Sequence, residues 1–428
     1  MPHPEDLHRR DLEQRQRTLL NALLKDIFNT NRFWQPRLQA AEYTPDQHWE
    51  LADLSRLPTL KKSELVADQA SSPPYGTNLT RPLTEYTRLH QTSGTTTGRP
   101  LRWLDTPRTW AALMQAWKQT YRLMDLRPDD RCCFPFSFGP FLGFWAGFEA
   151  AVLQERFSVA AGGMSSEARL QLIAENDITL LGCTPTYALR LAEVAAKTNI
   201  DLHSLKVRTI LVAGEPGGNV PATRRLIETA WNARVVDHWG MSEIGPLGIE
   251  AAETPGSLTI LETECIAEIL HLDRDEAVTP GELGELVVTT LSRGDMPVLR
   301  YRTGDLVQAD LSPAPSGRCL LRLAGGIRSR VDDMLVIRGN NVFPASIEAV
   351  VREFPAIVEF RIVVTTQRAM THVRLEIETD SAADDVTRQL MQAVKGRLNF
   401  QPEVVAVPAG SLPRFEMKAQ RVVRESGD

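Results

Sequence analysis

Apolar positions recur in pairs at helical spacing near the start of the chain. Leu19, Leu20, Leu23, Leu24, Ile27 and Phe28 predict an amphipathic helix packed on a core, and Phe33 and Trp34 follow it. From Tyr43 to Pro82 polar residues, Pro and Gly dominate, which reads as a wrap-around segment with one short helix near Lys61 to Ala67. Thr87 to His90 and Leu101-Arg-Trp-Leu read as strands with a loop between them, and a helical pattern returns from Thr109 to Met124. The pattern then alternates between two periods. Ile178 to Cys183 predicts a buried strand, and Thr184-Pro185 a helix start, with a capping hydroxyl and Pro in the first turn; this helix runs to about Lys197. A second unit repeats the order: strand Thr209 to Ala213, a turn Gly214 to Gly218, helix Ala222 to Trp231 and strand Arg234 to Asp237. Strands alternating with helices predict a parallel sheet covered on both faces, with ligands at the carboxyl ends of its strands. Gly281 marks a turn into a strand expected to alternate apolar and polar residues.

The character changes near Arg328. Helix Ser346 to Glu353, strands Ala356 to Thr365 and His372 to Thr379, helix Ala382 to Leu398 and strand Glu403 to Pro408 predict a compact two-layer unit. The expected fold is α/β: a large N-terminal domain, residues 1–329, with parallel or mixed sheets flanked by helices, joined by a hinge to a small α+β domain, residues 330–428. A chain of 428 residues with 43% hydrophobic content is large enough for such a division. The formal net charge of -6 offers no electrostatic footprint for nucleic acid or an anionic membrane. Five cysteines, odd in number and without C-x-x-C spacing, argue against a disulfide framework. Met1 to Arg17 is polar where a secretory signal needs an apolar core, and no apolar run spans a bilayer, so a cytoplasmic protein is expected.

Four stretches carry candidate chemistry. Thr92, Ser93, Gly94, Thr95, Thr96, Thr97, Gly98 and Arg99, closed by Pro100, combine hydroxyls with glycines that free backbone N–H groups, the composition of a loop that holds a polyphosphate. No Gly-Lys-Ser/Thr follows, so it is not a Walker loop. Phe136, Phe138, Phe141 and Trp145 stand among glycines and prolines, suiting either core packing or the wall of a small-molecule pocket. Just past strand Arg234 to Asp237, Ser242 and Glu243 sit beside glycines. A carboxylate aimed at a phosphate site makes electrostatic sense with a divalent cation between them, which makes Glu243 the candidate Mg²⁺ ligand. His238 is given a pocket role. Asp305, in Arg300-Tyr-Arg-Thr-Gly-Asp305, is of the type that accepts from ribose hydroxyls.

Taken in order, these motifs resemble the adenylate-forming superfamily, and within it the phenylacetate–CoA ligase family, over nearly the whole chain. The resemblance implies that Ser93 to Pro100 cradles the ATP β- and γ-phosphates and that Gly214, Glu215 and Pro216 lie against the adenine. Ser242 would reach the α-phosphate and Glu243 the Mg²⁺, with Asp237, His238, Trp239, Gly240 and Met241 lining the nucleotide site. Asp305 would take the ribose with Arg330 beside it. Asp332 would be the hinge and Lys418 the mobile catalytic lysine. The chain departs from the family pattern at an extra Thr in the phosphate loop, at Arg99 for Lys and at Ser329 for Gly. It also lacks the cysteines that bind structural zinc in many relatives, only Cys319 remaining, so no zinc is expected.

The implied activity uses ATP, Mg²⁺ and coenzyme A. A small aromatic acid, held against Phe136, Phe138, Phe141, Trp145, His238 and Gly240, becomes an acyl-adenylate, and a thiol then displaces AMP. Transfer to a carrier-protein thiol or an amine, and a non-catalytic adenylate-binding sensor, stand as alternatives, with a homodimer left open. Retention of both Glu243 and Lys418 argues against the sensor, because binding alone needs no transition-state lysine.

Overall fold

The computed structural model describes residues 3–92, 100–337, 340–367, 370–380, 382–415 and 419–425. Ser93 to Arg99, the candidate phosphate loop, and Lys418, the candidate catalytic lysine, lie outside them.

The centre is an eight-stranded sheet in the order Arg322–Ala324, Ser257–Ile260, Gly245–Glu250, Arg234–Met241, Thr209–Val212, Leu180–Cys183, Arg131–Phe134, Phe157–Ala160. The five strands from Arg234–Met241 to Phe157–Ala160 run parallel and the other three pair antiparallel. Because side chains alternate along a strand, neighbours in sequence enter different cores. Leu180, Leu211 and Val236 join a cluster with helices Arg9–Thr30, Pro107–Leu123 and Leu142–Leu153. Leu181, Ile210 and Val235 join one with helices Ser166–Glu175, Pro185–Lys197 and Pro221–Trp231. Both faces are thus covered, and runs such as Leu180–Cys183 are buried at every residue.

The predicted helices form where the apolar stripes place them. Arg9–Thr30 buries Leu20, Leu23, Leu24 and Ile27, and Thr184 caps Pro185–Lys197 by accepting from the Tyr187 N–H. Two strands differ from expectation. Arg234–Met241 continues four residues beyond Asp237, because Gly245–Glu250 folds back beside it and supplies antiparallel partners. Leu283–Thr290 is buried from Gly284 onward rather than alternating. It lies inside a four-stranded antiparallel sheet with Cys265–Leu270, Tyr301–Gln308 and Ser329–Arg330, and both its faces are covered.

The C-terminal part has its own core. Strands Glu403–Ala406, Met370–Thr379, Ile357–Gln367 and Val422–Glu425 form one sheet in that order, and residues including Phe360, Leu375, Ile377, Leu390 and Val394 pack it against helices Pro344–Val351 and Ala383–Leu398. Strand Val422–Glu425 and the antiparallel pair Leu335–Ile337 and Asn340–Val342 are not among the elements predicted from the sequence.

Candidate active site

Parallel strands aim their carboxyl ends at one edge of the central sheet, and the singled-out motifs follow those ends. Phe134 leads into the aromatic run, Cys183 into Thr184, and Val212 into Gly214-Glu215-Pro216, while Arg234–Met241 carries its motif within the strand itself. Between these ends lies a cavity of about 150 Å³. Phe136, Phe141, His238 and Gly240 line it, joined by Trp117 and Met241. Phe138 and Trp145 do not. Their rings pack edge to face at 4.8 Å, and the Trp145 indole N–H donates to the Gly139 carbonyl at 3.1 Å, which makes them the support behind the wall.

His238 lies 4.6 Å from the Trp117 ring. Burial pushes its imidazole down to about 4, and the Gly248 backbone only partly offsets this, so the ring is neutral at physiological pH. Its Nδ1 is buried without a hydrogen-bond partner among the described residues. Asp237 beside it moves the other way. Burial, and after it the charge of Glu250, push its carboxyl up to about 7, and Asn219 donates to it at 2.5 Å.

Glu243 is buried, with 1% of its side chain exposed, and Lys62 Nζ stands 2.9 Å from its Oε1. The Tyr301 hydroxyl donates to the same oxygen at 3.2 Å. Burial, with Glu243 adding to it, holds the Tyr301 hydroxyl well above its ordinary value, so it remains a donor. Lys62 comes from the first turn of helix Lys62–Ser71. Its sequence surroundings resemble any solvated helix start, and nothing there signals the pairing. Arg293 is equally silent in sequence. Its guanidinium grips Asp105 through Nε at 2.8 Å and Nη2 at 2.5 Å, and Nη1 donates to the Ser242 carbonyl at 2.5 Å. Burial opposes the charge on Asp105, but Arg293 and the hydrogen bonds from His90 and Thr109 together hold the carboxyl well below the usual carboxylate range. The backbone at Ser242 is therefore anchored by a buried ion pair.

Asp305 is fixed from two sides. Its Oδ1 accepts from Arg330 Nη1 at 2.8 Å, and its Oδ2 from the Trp239 indole N–H at 2.9 Å. Gly304, at φ +76°, is the residue that lets Arg330 lie so close, since a Cβ there would stand 2.8 Å from Arg330 Nη2. Asp332 is exposed and 3.6 Å from the same guanidinium. Thr92 pairs with Leu101, its N–H donating to the Leu101 carbonyl and its Oγ1 accepting from the Leu101 N–H. Glu215 extends toward Thr186 and Ala419.

Among the described residues no cluster of three or more His, Cys, Asp or Glu could hold a metal by itself. Mg²⁺ does not require one, because it is commonly held by one or two carboxylates together with substrate phosphates and water. Glu243 beside Ser242 fits that donor set.

Comparison with known proteins gives this edge its context. The AMP-binding enzyme family matches residues 50–292, and the AMP-binding enzyme C-terminal domain matches residues 339–425. A phenylacetate–coenzyme A ligase of Pseudomonas putida is 31% identical, over 96% of this chain and 93% of that protein. Among solved structures, 2-hydroxyisobutyryl-CoA ligase in its postadenylation state with R3-HIB-AMP superposes with a TM-score of 0.92 at 26% identity, covering 99% of this chain and 92% of that one. The same ligase with 2-HIB-AMP and CoA, in its thioesterification state, gives 0.75 at 28% identity and equal coverage, so the arrangement here follows the former more closely. The chain belongs to the AMP-binding enzyme family and, within it, to the phenylacetate–coenzyme A ligases.

Proposed function

We propose that this protein activates a small aromatic carboxylic acid with ATP, forming an acyl-adenylate and pyrophosphate, and then passes the acyl group to the thiol of coenzyme A. The observation that carries the reading is the cavity between the strand ends. Its volume of about 150 Å³ compares with the roughly 150 Å³ apolar cavity that takes up benzene in an engineered protein. Its lining includes Phe136, Phe141, Trp117 and Ser242.

In the first half-reaction the substrate carboxylate attacks the α-phosphorus, and the P–O bond to pyrophosphate breaks. One anion attacks another, so charge neutralisation and alignment matter more than covalent help. Ser242, on a backbone anchored by Arg293, would donate to the α-phosphate. Asp305, held by Trp239 and Arg330, would take the ribose. Glu243 would hold Mg²⁺, which supplies Lewis-acid neutralisation of phosphate charge. Lys418 is assigned to the same transition state, with Ser93 to Arg99 on the β- and γ-phosphates. In the second half-reaction the thiol attacks the acyl carbon and AMP leaves. Residues 330–428 would then swing about Asp332, withdrawing Lys418 and opening the thiol path. The two states of 2-hydroxyisobutyryl-CoA ligase, and the closer fit to the postadenylation one, support this alternation.

Magnesium rather than zinc is the metal of this reading. Cys319, the cysteine left from the relatives' zinc pattern, donates its thiol to the Leu7 carbonyl at 3.1 Å. None of the helices among the described residues is long and apolar enough to cross a membrane, and we place the enzyme in the cytoplasm. The testing experiment is a screen of aryl and aliphatic acids for pyrophosphate release, repeated with CoA. Aryl-dependent release with thioester formation only when CoA is present supports the reading. Release that leads only to a carrier-bound or amide product would move the acceptor, and no release with any acid would leave an adenylate-binding sensor.

A further inference from the structure

Glu215 belongs to the turn expected against adenine, yet its carboxylate joins two parts of the chain far apart in sequence. Oε1 accepts from the Thr186 N–H at 2.9 Å, in the first turn of helix Pro185–Lys197. Oε2 accepts from the Ala419 N–H at 2.5 Å. Ala419 directly follows Lys418. A second tie converges on the same helix start: Arg421 Nη1 donates to Thr186 Oγ1 at 3.2 Å, while its Nε is held by Glu359 Oε1 at 2.8 Å.

We propose that Glu215 is a positioning residue for Lys418, a two-ended acceptor that docks the Lys418 segment on the nucleotide site during adenylation and releases it for thioester formation. The proposal rests on the reading that Lys418 acts in adenylation. A carboxylate suits the task because each oxygen serves one N–H, and a charged acceptor strengthens both bonds. The helix N-terminus at Thr186 favours the negative charge, so Glu215 keeps a partner when Ala419 withdraws. A lysine side chain carries its ammonium on a flexible four-carbon stem. Fixing the backbone one residue beyond it lowers the entropy cost of placing its ammonium in the transition state. Burial raises the Glu215 carboxyl above its ordinary value, while the Thr186 and Ala419 donors and the Arg421 charge pull it back.

The test separates half-reactions and uses epistasis. Glu215→Gln keeps the size but turns one acceptor into a donor, so either the Thr186 or the Ala419 N–H faces an NH₂ group. Acid-dependent pyrophosphate exchange should fall by about tenfold or more, the scale of one charge-assisted bond. Thioester formation from saturating supplied acyl-adenylate and CoA, read on the same preparation, should fall much less than exchange, and an unchanged melting temperature shows that the variant is folded. In Lys418→Ala the further change Glu215→Gln should have no additional effect on exchange. Equal loss of both half-reactions, unchanged exchange, or a double variant slowed by the product of the single effects would each overturn the proposal while leaving the Lys418 reading intact. Unchanged exchange in Lys418→Ala would overturn that reading, and this proposal with it.

Discussion

Lys62→Met removes the ammonium 2.9 Å from Glu243 while keeping most of the side-chain stem. At an effective dielectric constant of about 20, unit charges at that distance attract by roughly 6 kcal/mol before desolvation is counted. Removing one partner of a fully buried pair costs about 3–5 kcal/mol, because the other charge is left uncompensated. Here the two ends differ: Glu243 is 1% exposed and Lys62 26%, so water can enter from the lysine side. The Tyr301 hydroxyl also remains on Oε1 at 3.2 Å. These two effects bring the expected loss to about 2 kcal/mol, below the fully buried range. Tyr301→Phe should cost about 1.5 kcal/mol, the low end for a bond to a charged group, since this one is long. Both groups serve one oxygen, so the double variant should deviate from additivity by more than about 0.5 kcal/mol. The assay is urea denaturation at neutral pH, with and without Mg²⁺ and ATP. A cation bound at Glu243 would replace the lost charge, so saturating Mg²⁺ and ATP should narrow the gap between Lys62→Met and wild type. If Lys62→Met stays within about 0.5 kcal/mol of wild type, as an ordinary surface change does, the pair does not sustain the buried carboxylate and the reasoning fails.

Three further outcomes follow from the same geometry. Trp239→Phe deletes the N–H on Asp305 Oδ2, and should raise the KM for ATP by about tenfold in pyrophosphate exchange with little change in that for the acid. His238 has an ordinary value of 6.5 and a native value of about 4. Between them the unfolded chain binds a proton that the native one refuses, so His238 makes stability fall as pH drops through that window, by at most about 3 kcal/mol. Asp237, raised from 3.8 to about 7, has the opposite sign, lowering stability as pH rises across its own window. Denaturation of His238→Leu over this range should therefore lack the acid-side loss relative to wild type, and parallel curves would contradict it. Phe141→Ala should raise the acid KM by at least about tenfold, consistent with an aromatic contact and cavity loss. Phe138→Ala, whose ring packs on Phe136, Trp145 and Phe148, should lower the melting temperature with a smaller effect on that KM.

Much of the central sheet is legible because its signals are local. Thr184-Pro185 announces a helix start, and the apolar runs before it and after Lys206 are short and rich in β-branched residues, which favours buried strands. The continuation of Arg234–Met241 through the motif is not legible, since it depends on Gly245–Glu250 returning alongside. Burial of Leu283–Thr290 likewise depends on layers above and below it that no period within the strand encodes. At the site, Ser242, Glu243 and Asp305 stand out by residue type beside glycines. Lys62 and Arg293, which hold two of those positions, stand far from them in sequence and have no local signature. The aromatic run has no period, so the division into Phe136 and Phe141 at the cavity and Phe138 and Trp145 behind it appears only with the fold. Glu215 illustrates the same limit: its motif places the turn, while its partners Thr186 and Ala419 are chosen by tertiary structure.

The central claim is that an aromatic acid is first joined to AMP and then moved to a thiol on one chain. Its most direct measurement is a single-turnover reaction with labelled ATP, Mg²⁺ and an aryl acid, quenched before and after addition of CoA. The account predicts an enzyme-bound acyl-adenylate and one equivalent of pyrophosphate before CoA, converted to acyl-CoA and AMP after it. Formation of ADP and phosphate, or acyl-CoA appearing without a preceding acyl-adenylate, would contradict it.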